Sequence, residues 1–125
     1  MEIYRLEGSI DVPEVELNHI EGKIYFSGKS LPEDVKETYN PIIEWISEYI
    51  KIPNKQTHAI FKFDYFNTAT SKKLLDIFEL LKVLKENNNS DLKIDWYYNE
   101  GDEDMKEAGQ QFSEFIDIDF NLISF

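Results

Sequence analysis

At 125 residues, 42% of them hydrophobic and 14% aromatic, the chain carries apolar material for one domain with one core and is too short to divide into two. It has no cysteine, which excludes disulfides, thiolate metal sites and thiol catalysis together, so function must rest on oxygen and nitrogen groups. The 25 acidic residues against 13 basic ones set the net charge at −12, a field that repels nucleic acid and anionic membrane surfaces and favours partners with basic faces.

The opening Met1-Glu2-Ile3-Tyr4-Arg5-Leu6-Glu7 lacks the basic start and unbroken apolar run of a secretion signal. No stretch approaches the roughly 20 apolar residues that cross a bilayer, and the expected address is the cytoplasm. Short period-two segments follow, from Ile3 to Glu7, Val15 to Asn18 and Ile24 to Gly28, separated by Val12-Pro13 and Glu21-Gly22. They predict three strands in a meander.

Ser30-Leu31-Pro32-Glu33 then carries the signature of a helix start: Ser30 as cap, Pro32 in the first turn and Glu33 closing a capping box. Val35, Tyr39, Ile42, Ile46 and Tyr49 recur at spacings of four and three and fall on one helical face. Pro41 inside that run removes an amide donor and clashes with the preceding turn, which predicts a kink or two short helices sharing one buried face.

Pro53 and Asn54 mark a loop before a strand from Thr57 to Phe66, in which Ala59, Phe61, Phe63 and Tyr65 alternate with more polar neighbours. Ile60 and Phe66 break the polar side, as expected of an inner strand covered on both faces. Asn67-Thr68-Ala69-Thr70-Ser71 leads into a second helix with the stripe Leu74, Ile77, Phe78, Leu81 and Leu84, ended by the polar run Glu86 to Ser90. Leu92, Ile94, Trp96 and Tyr98 alternate as a strand; Met105, Ala108, Phe112 and Phe115 mark a third helix; Phe120, Leu122 and Ser124 suggest a closing strand. The order predicts one α/β domain, a mixed sheet with three main helices, whose central strands are parallel because of the crossovers between them.

Few motifs carry chemistry. Gly22 to Ser30 ends like a phosphate loop but has five positions between its glycines instead of four, and its bulky alternating residues belong in a strand. His19 and His58 have no serine or carboxylate spaced locally to form a relay, so no catalytic residue is assigned. Glu100-Gly101-Asp102-Glu103-Asp104 lacks calcium-loop spacing and is explained by the attraction of negative side chains to a helix N-terminus; no metal and no cofactor is expected.

The hydroxyl cluster Thr68, Thr70 and Ser71 stands where a strand ends and a helix begins. Any of the three, or Asn67, can be an ordinary N-cap, which is the commoner role of such residues. A hydroxyl at this edge is also well placed for modification, since a phosphate there would meet free amides and the positive end of the helix dipole. Lys72 and Lys73 would help to neutralise it; Asp64 and the acidic loop, if near, would oppose it.

The blocks Met1 to Gly8, Ser27 to Glu33, Pro41-Ile42-Ile43-Glu44-Trp45, Tyr65-Phe66-Asn67-Thr68-Ala69-Thr70-Ser71-Lys72, Trp96-Tyr97-Tyr98 and Asp102-Glu103-Asp104-Met105, in this order, make the chain resemble the SiaC-like bacterial regulatory phosphoproteins. Their fold is similar to the STAS domains of anti-sigma-factor antagonists. The resemblance implies a STAS-like sheet and a phosphoacceptor at Thr68, with Thr70 and Ser71 as rivals. It also implies a partner kinase, a PP2C-type phosphatase and, as output, a diguanylate cyclase bound and stimulated by the unphosphorylated form, hence cyclic di-GMP signalling. On this expectation Asn67 and the helix amides position the phosphate, the outer face of the second helix meets the partner, and Asp64, Lys72 and Asp76 make rim contacts. The alternative is a constitutive STAS-type module that binds a protein or small ligand without phosphorylation; an enzyme ranks third.

Overall fold

The alternating apolar residues of the first thirty positions form β1 (Tyr4–Leu6), β2 (Glu14–Asn18) and β3 (Lys23–Ser30), paired antiparallel in a meander, in a computed structural model that describes residues 1–125. The chain then alternates: α1 (Val35–Tyr49), β4 (Gln56–Phe66), α2 (Thr68–Glu86), β5 (Asp91–Tyr98), α3 (Glu103–Ile116) and β6 (Asn121–Ser124). From β3 onward every pairing is parallel, and the strands lie in the sheet in sequence order.

Each crossover steps one strand in the same direction, and right-handed crossovers of that kind place all three helices on one face. The burial pattern agrees. Val15, Leu17, Ile24, Phe26, Ala59, Phe61, Phe63, Ile94 and Trp96 point into the core, whereas Tyr25, Ser27, His58, Ile60 and Lys62 on the other face stay partly exposed. The expectation that β4 is covered on both faces is therefore corrected: it is an inner strand, but Ile60 lies on the uncovered side, half-buried by its neighbours.

The helix stripes are those the spacing predicts, with Tyr39, Ile42, Ile46 and Tyr49 buried on α1 and Leu74, Ile77, Phe78, Leu81 and Leu84 buried on α2. Aromatic rings fill the space between sheet and helices: Phe61 lies 5.3 Å from Phe26 and 4.8 Å from Phe78, and Phe78 lies 5.0 Å from Phe112. Gly109 of α3 sits flat on Trp96, so close that a methyl there would overlap the indole, while the Trp96 Nε1 donates to the Met105 carbonyl at 2.9 Å.

Two features of α1 differ from the sequence expectation. Its cap is Asp34, whose carboxylate accepts from the Glu37 amide at 3.1 Å; Ser30 is instead the last residue of β3, fully buried. Of the two outcomes expected at Pro41, the division into two short helices does not occur: Pro41 lies inside one continuous helix. Pro41 is exposed, so the Glu37 carbonyl that loses its donor lies on the solvent side, where water can satisfy it.

Candidate functional site

The site is built at the end of β4. Between β3 and β4 the register slips, so that Gly28 pairs with Phe63 and Lys29 with Tyr65, and Asp64 is the extra residue. Such a bulge resets which side chains face inward. Phe66 turns toward Phe63, Trp96 and Phe112, and Tyr65, placed by alternation with the inward residues, is 53% exposed.

Asn67 then fixes the turn into α2. Its amide donates to the Ser30 carbonyl at 3.1 Å, and its side-chain oxygen accepts from the Thr70 amide at 2.9 Å. Of the four capping candidates in the sequence, Asn67 is the cap, and Thr68, the first residue of the helix, is exposed and free of that task. The Thr68 and Ala69 amides precede the first possible intrahelical acceptor and remain open at the helix mouth. Alone among the three helices, α2 has no acidic residue in its first turn; α1 has Glu37 there, and α3 has Glu103 and Asp104. Its positive end is uncompensated.

The rivals are placed very differently. Thr70 is fully buried: its hydroxyl lies 2.9 Å from the Ser30 hydroxyl and donates to the Ser30 carbonyl at 3.0 Å, and the Ser30 hydroxyl lies 2.7 Å from that of Tyr39. This closed triad ties β3, α1 and α2 together beneath Thr68. Burial pushes the Tyr39 phenol up to about 12, and the hydrogen bonds from Ser30 and Thr70 only partly offset it. Ser71 is half-buried and faces a groove between α2 and α3.

That groove, about 260 Å³, is floored by Phe66 and Phe112 and walled by Ser71 and Leu75 on one side and by Ala108 and Phe115 on the other. Thr68, Ser71 and Leu75 are spaced three and four apart, so Thr68 stands at the head of the stripe that forms one wall. Phe115, which the sequence pattern assigns to the apolar stripe of α3, is 58% exposed at the rim. Sequence reasoning missed the groove because its two walls come from helices about forty residues apart.

Lys72 is exposed one turn after Thr68, and Asp76 is exposed one turn further on. Lys73 is turned toward α1, where it donates to the Asn40 side chain at 3.3 Å. Asp64 is exposed and accepts from the Asn99 side chain at 3.0 Å, which joins it to the loop leading into α3. Asp102 caps α3 by accepting from the Met105 amide at 3.1 Å, with Glu103 and Asp104 in the first turn. Asp64, Asn67, Thr68 and Lys72 thus cluster at one end of the sheet, with the acidic loop beside them, while Asp76 lies further along α2.

A second polar cluster lies on the uncovered sheet face, where His58 Nε2 and an Asp95 oxygen are 2.6 Å apart. Local spacing cannot reveal this pair, which forms across neighbouring strands. Burial acts to raise the Asp95 carboxyl, but hydrogen bonds from Asn121 and His58, with the positive charges of His58 and Lys93, outweigh it and hold the carboxyl below the usual aspartate range. Asn121 donates to the other Asp95 oxygen at 2.8 Å, so the cluster braces β4, β5 and β6.

The chain is similar to known proteins over nearly its whole length. A curated, uncharacterized protein of Pseudomonas aeruginosa (strain UCBPP-PA14) is 22% identical over 117 residues, spanning 94% of this chain and 92% of that protein. SiaC of Pseudomonas aeruginosa superposes with a TM-score of 0.87 at 20% identity, all of each chain being covered. A chain in the crystal structure of diguanylate cyclase SiaD in complex with its activator SiaC, also from Pseudomonas aeruginosa, superposes with a TM-score of 0.90 at 20% identity, covering 98% of this chain and 99% of that one. At these identities the superpositions establish the fold. The family model described as SiaC family regulatory phosphoprotein matches residues 6–125, and the chain belongs to that family.

Proposed function

We propose that the protein is a non-catalytic regulator switched by reversible phosphorylation of Thr68, and that its unphosphorylated form binds and regulates a diguanylate cyclase. The observation that carries this reading is the division of labour at the mouth of α2. Asn67 holds the cap and Thr70 is sealed in the core, which leaves Thr68 as the exposed hydroxyl at a positive helix end that no acidic residue compensates.

A phosphate there adds about 1.5 to 2 negative charges and finds open helix amides and Lys72 within its own turn. The same charge faces the acidic loop and sits at the head of the apolar groove, so a partner seated across α2 and α3 meets a new desolvation penalty and a changed field. Fold change is not required. A cytoplasmic protein kinase would write the mark and a PP2C-type phosphatase would erase it. The named complex of SiaD with its activator SiaC supports a cyclase as the output partner. Asp64, Lys72 and Asp76 form the rim of the docking face.

Peptide mass mapping of protein purified from its native cells is expected to place phosphate on Thr68. In pulldowns from the same cells, Thr68→Ala should retain the cyclase and Thr68→Glu should bind it at least about tenfold more weakly, about 1.4 kcal/mol. Equal retention by both variants, together with no phosphate at Thr68 under any growth condition, would leave a constitutive binding module as the better description.

A further inference from the structure

The Pro41-Ile42-Ile43-Glu44-Trp45 block and His19 take no part in the site described above. They meet on the opposite flank of the molecule, where α1 passes the start of the chain: the Trp45 Nε1 donates to the Glu2 carbonyl at 2.6 Å. Between them lies a cavity of about 700 Å³, within the range of small-molecule sites. Its walls include Met1 with its amino group, Glu2, Glu44 and Glu48, the Trp45 indole and Ile52, and no lysine or arginine side chain.

We propose that this cavity binds an organic cation, an ammonium or guanidinium group carried on an apolar body. Each part of such a ligand has a counterpart in the wall. Three carboxylates supply the charge, and of these only Glu48 is paired, with the exposed Lys51 at 3.0 Å. Trp45, stacked at 5.3 Å on Tyr49, offers the best aromatic surface for a cation. Ile52, 87% exposed, offers apolar area for the ligand body. The shared chemistry fits a free alkylamine or alkylguanidine and equally an arginine or lysine side chain on a partner, and the net charge of −12 draws either toward the protein. The inference stands apart from the Thr68 reading, because no residue of the cavity belongs to α2 or α3.

The two tryptophans give the test an internal control, since the Trp96 indole is sealed in the core on the Met105 carbonyl. In 1H–15N spectra of the whole protein, n-butylguanidinium is expected to shift the Trp45 indole signal saturably and to leave that of Trp96 in place. A doubly capped arginine peptide and its citrulline counterpart form the second arm. Tighter binding by the arginine peptide than by the free cation identifies a side chain as the natural occupant; equal or weaker binding identifies a free amine. The double variant Glu44→Gln and Glu48→Gln, both exposed positions, should weaken the cation at least about tenfold while leaving the rest of the spectrum unchanged. The proposal is overturned if n-butanol, citrulline peptide or matched sodium chloride moves the Trp45 signal equally, or if the cation leaves it unmoved.

Discussion

Three hydroxyls within four positions of the chain are chemically alike, and burial makes them different. Thr68 is in water, Ser71 borders a groove, and Thr70 is enclosed with Ser30 and Tyr39 in a triad from which no kinase could extract it without opening the joint between β3 and α2. Mass mapping of natively folded protein should therefore find Thr70 unmodified. The triad also sets an alkaline limit. Tyr39 ionises near 10.0 when unfolded and at about 12 in the fold, so its contribution is fully present below pH 10 and is lost as pH rises through 12. Urea unfolding of wild type should weaken across that window, and Tyr39→Phe, about 1 kcal/mol less stable at pH 7, should show a shallower decline. A decline of equal slope in both would place the alkaline sensitivity elsewhere.

At the scale of elements, α2 lacks the negative first turn that α1 and α3 possess. Thr68→Glu should supply it and raise stability by about 0.3 to 1 kcal/mol in chemical denaturation, even as it weakens partner binding. A destabilised Thr68→Glu would mean that the acidic loop, and not the helix end, governs the local field. Across the groove, Phe115→Ala should change stability by no more than about 0.5 kcal/mol, being a surface change, yet reduce binding of the proposed cyclase partner. Gly109→Ala should do the reverse, destabilising by about 1 to 3 kcal/mol as α3 is pushed off Trp96.

These elements also show what one sequence can reveal. Helix stripes were legible because period and burial coincide: the residues spaced three and four apart on α2 are the buried ones. The start of α1 was misplaced because the chain carries two capping signatures, Ser30 with Glu33 and Asp34 with Glu37, and only the buried triad, formed with residues far along the chain, draws Ser30 into β3. Tyr65 and Phe66 exchanged roles because a bulge shifts the pleat by one residue, and alternation alone carries no sign of it. Thr68 was legible as a position, one of several hydroxyls at a strand–helix junction. Which hydroxyl is exposed depends on the partner of each, and that is a tertiary fact.

For the whole molecule, the dominant electrostatic quantity is the net charge of −12, set against few ion pairs: Lys23 with Glu16, Lys51 with Glu48, and Asp95 with His58 and Lys93. Self-repulsion should outweigh these local attractions, and screening should relieve it. Calorimetry is expected to show Tm rising by several degrees when sodium chloride increases from low millimolar levels to about 0.15 M, where charges more than about 8 Å apart no longer interact strongly. A falling Tm would show that the few pairs matter more than the field. No helix is long and apolar enough to cross a membrane.

Strands stand in the sheet in the order in which they occur in the chain. During synthesis, each new strand thus emerges beside a neighbour that has already left the ribosome, and none has to wait for a later segment to be inserted next to it. Assembly can proceed like a zip closed from one end, with the aromatic cluster growing by one layer at each step. The loop-closing penalty that slows parallel sheets is then met in three modest instalments, one per helix, instead of in a single large search.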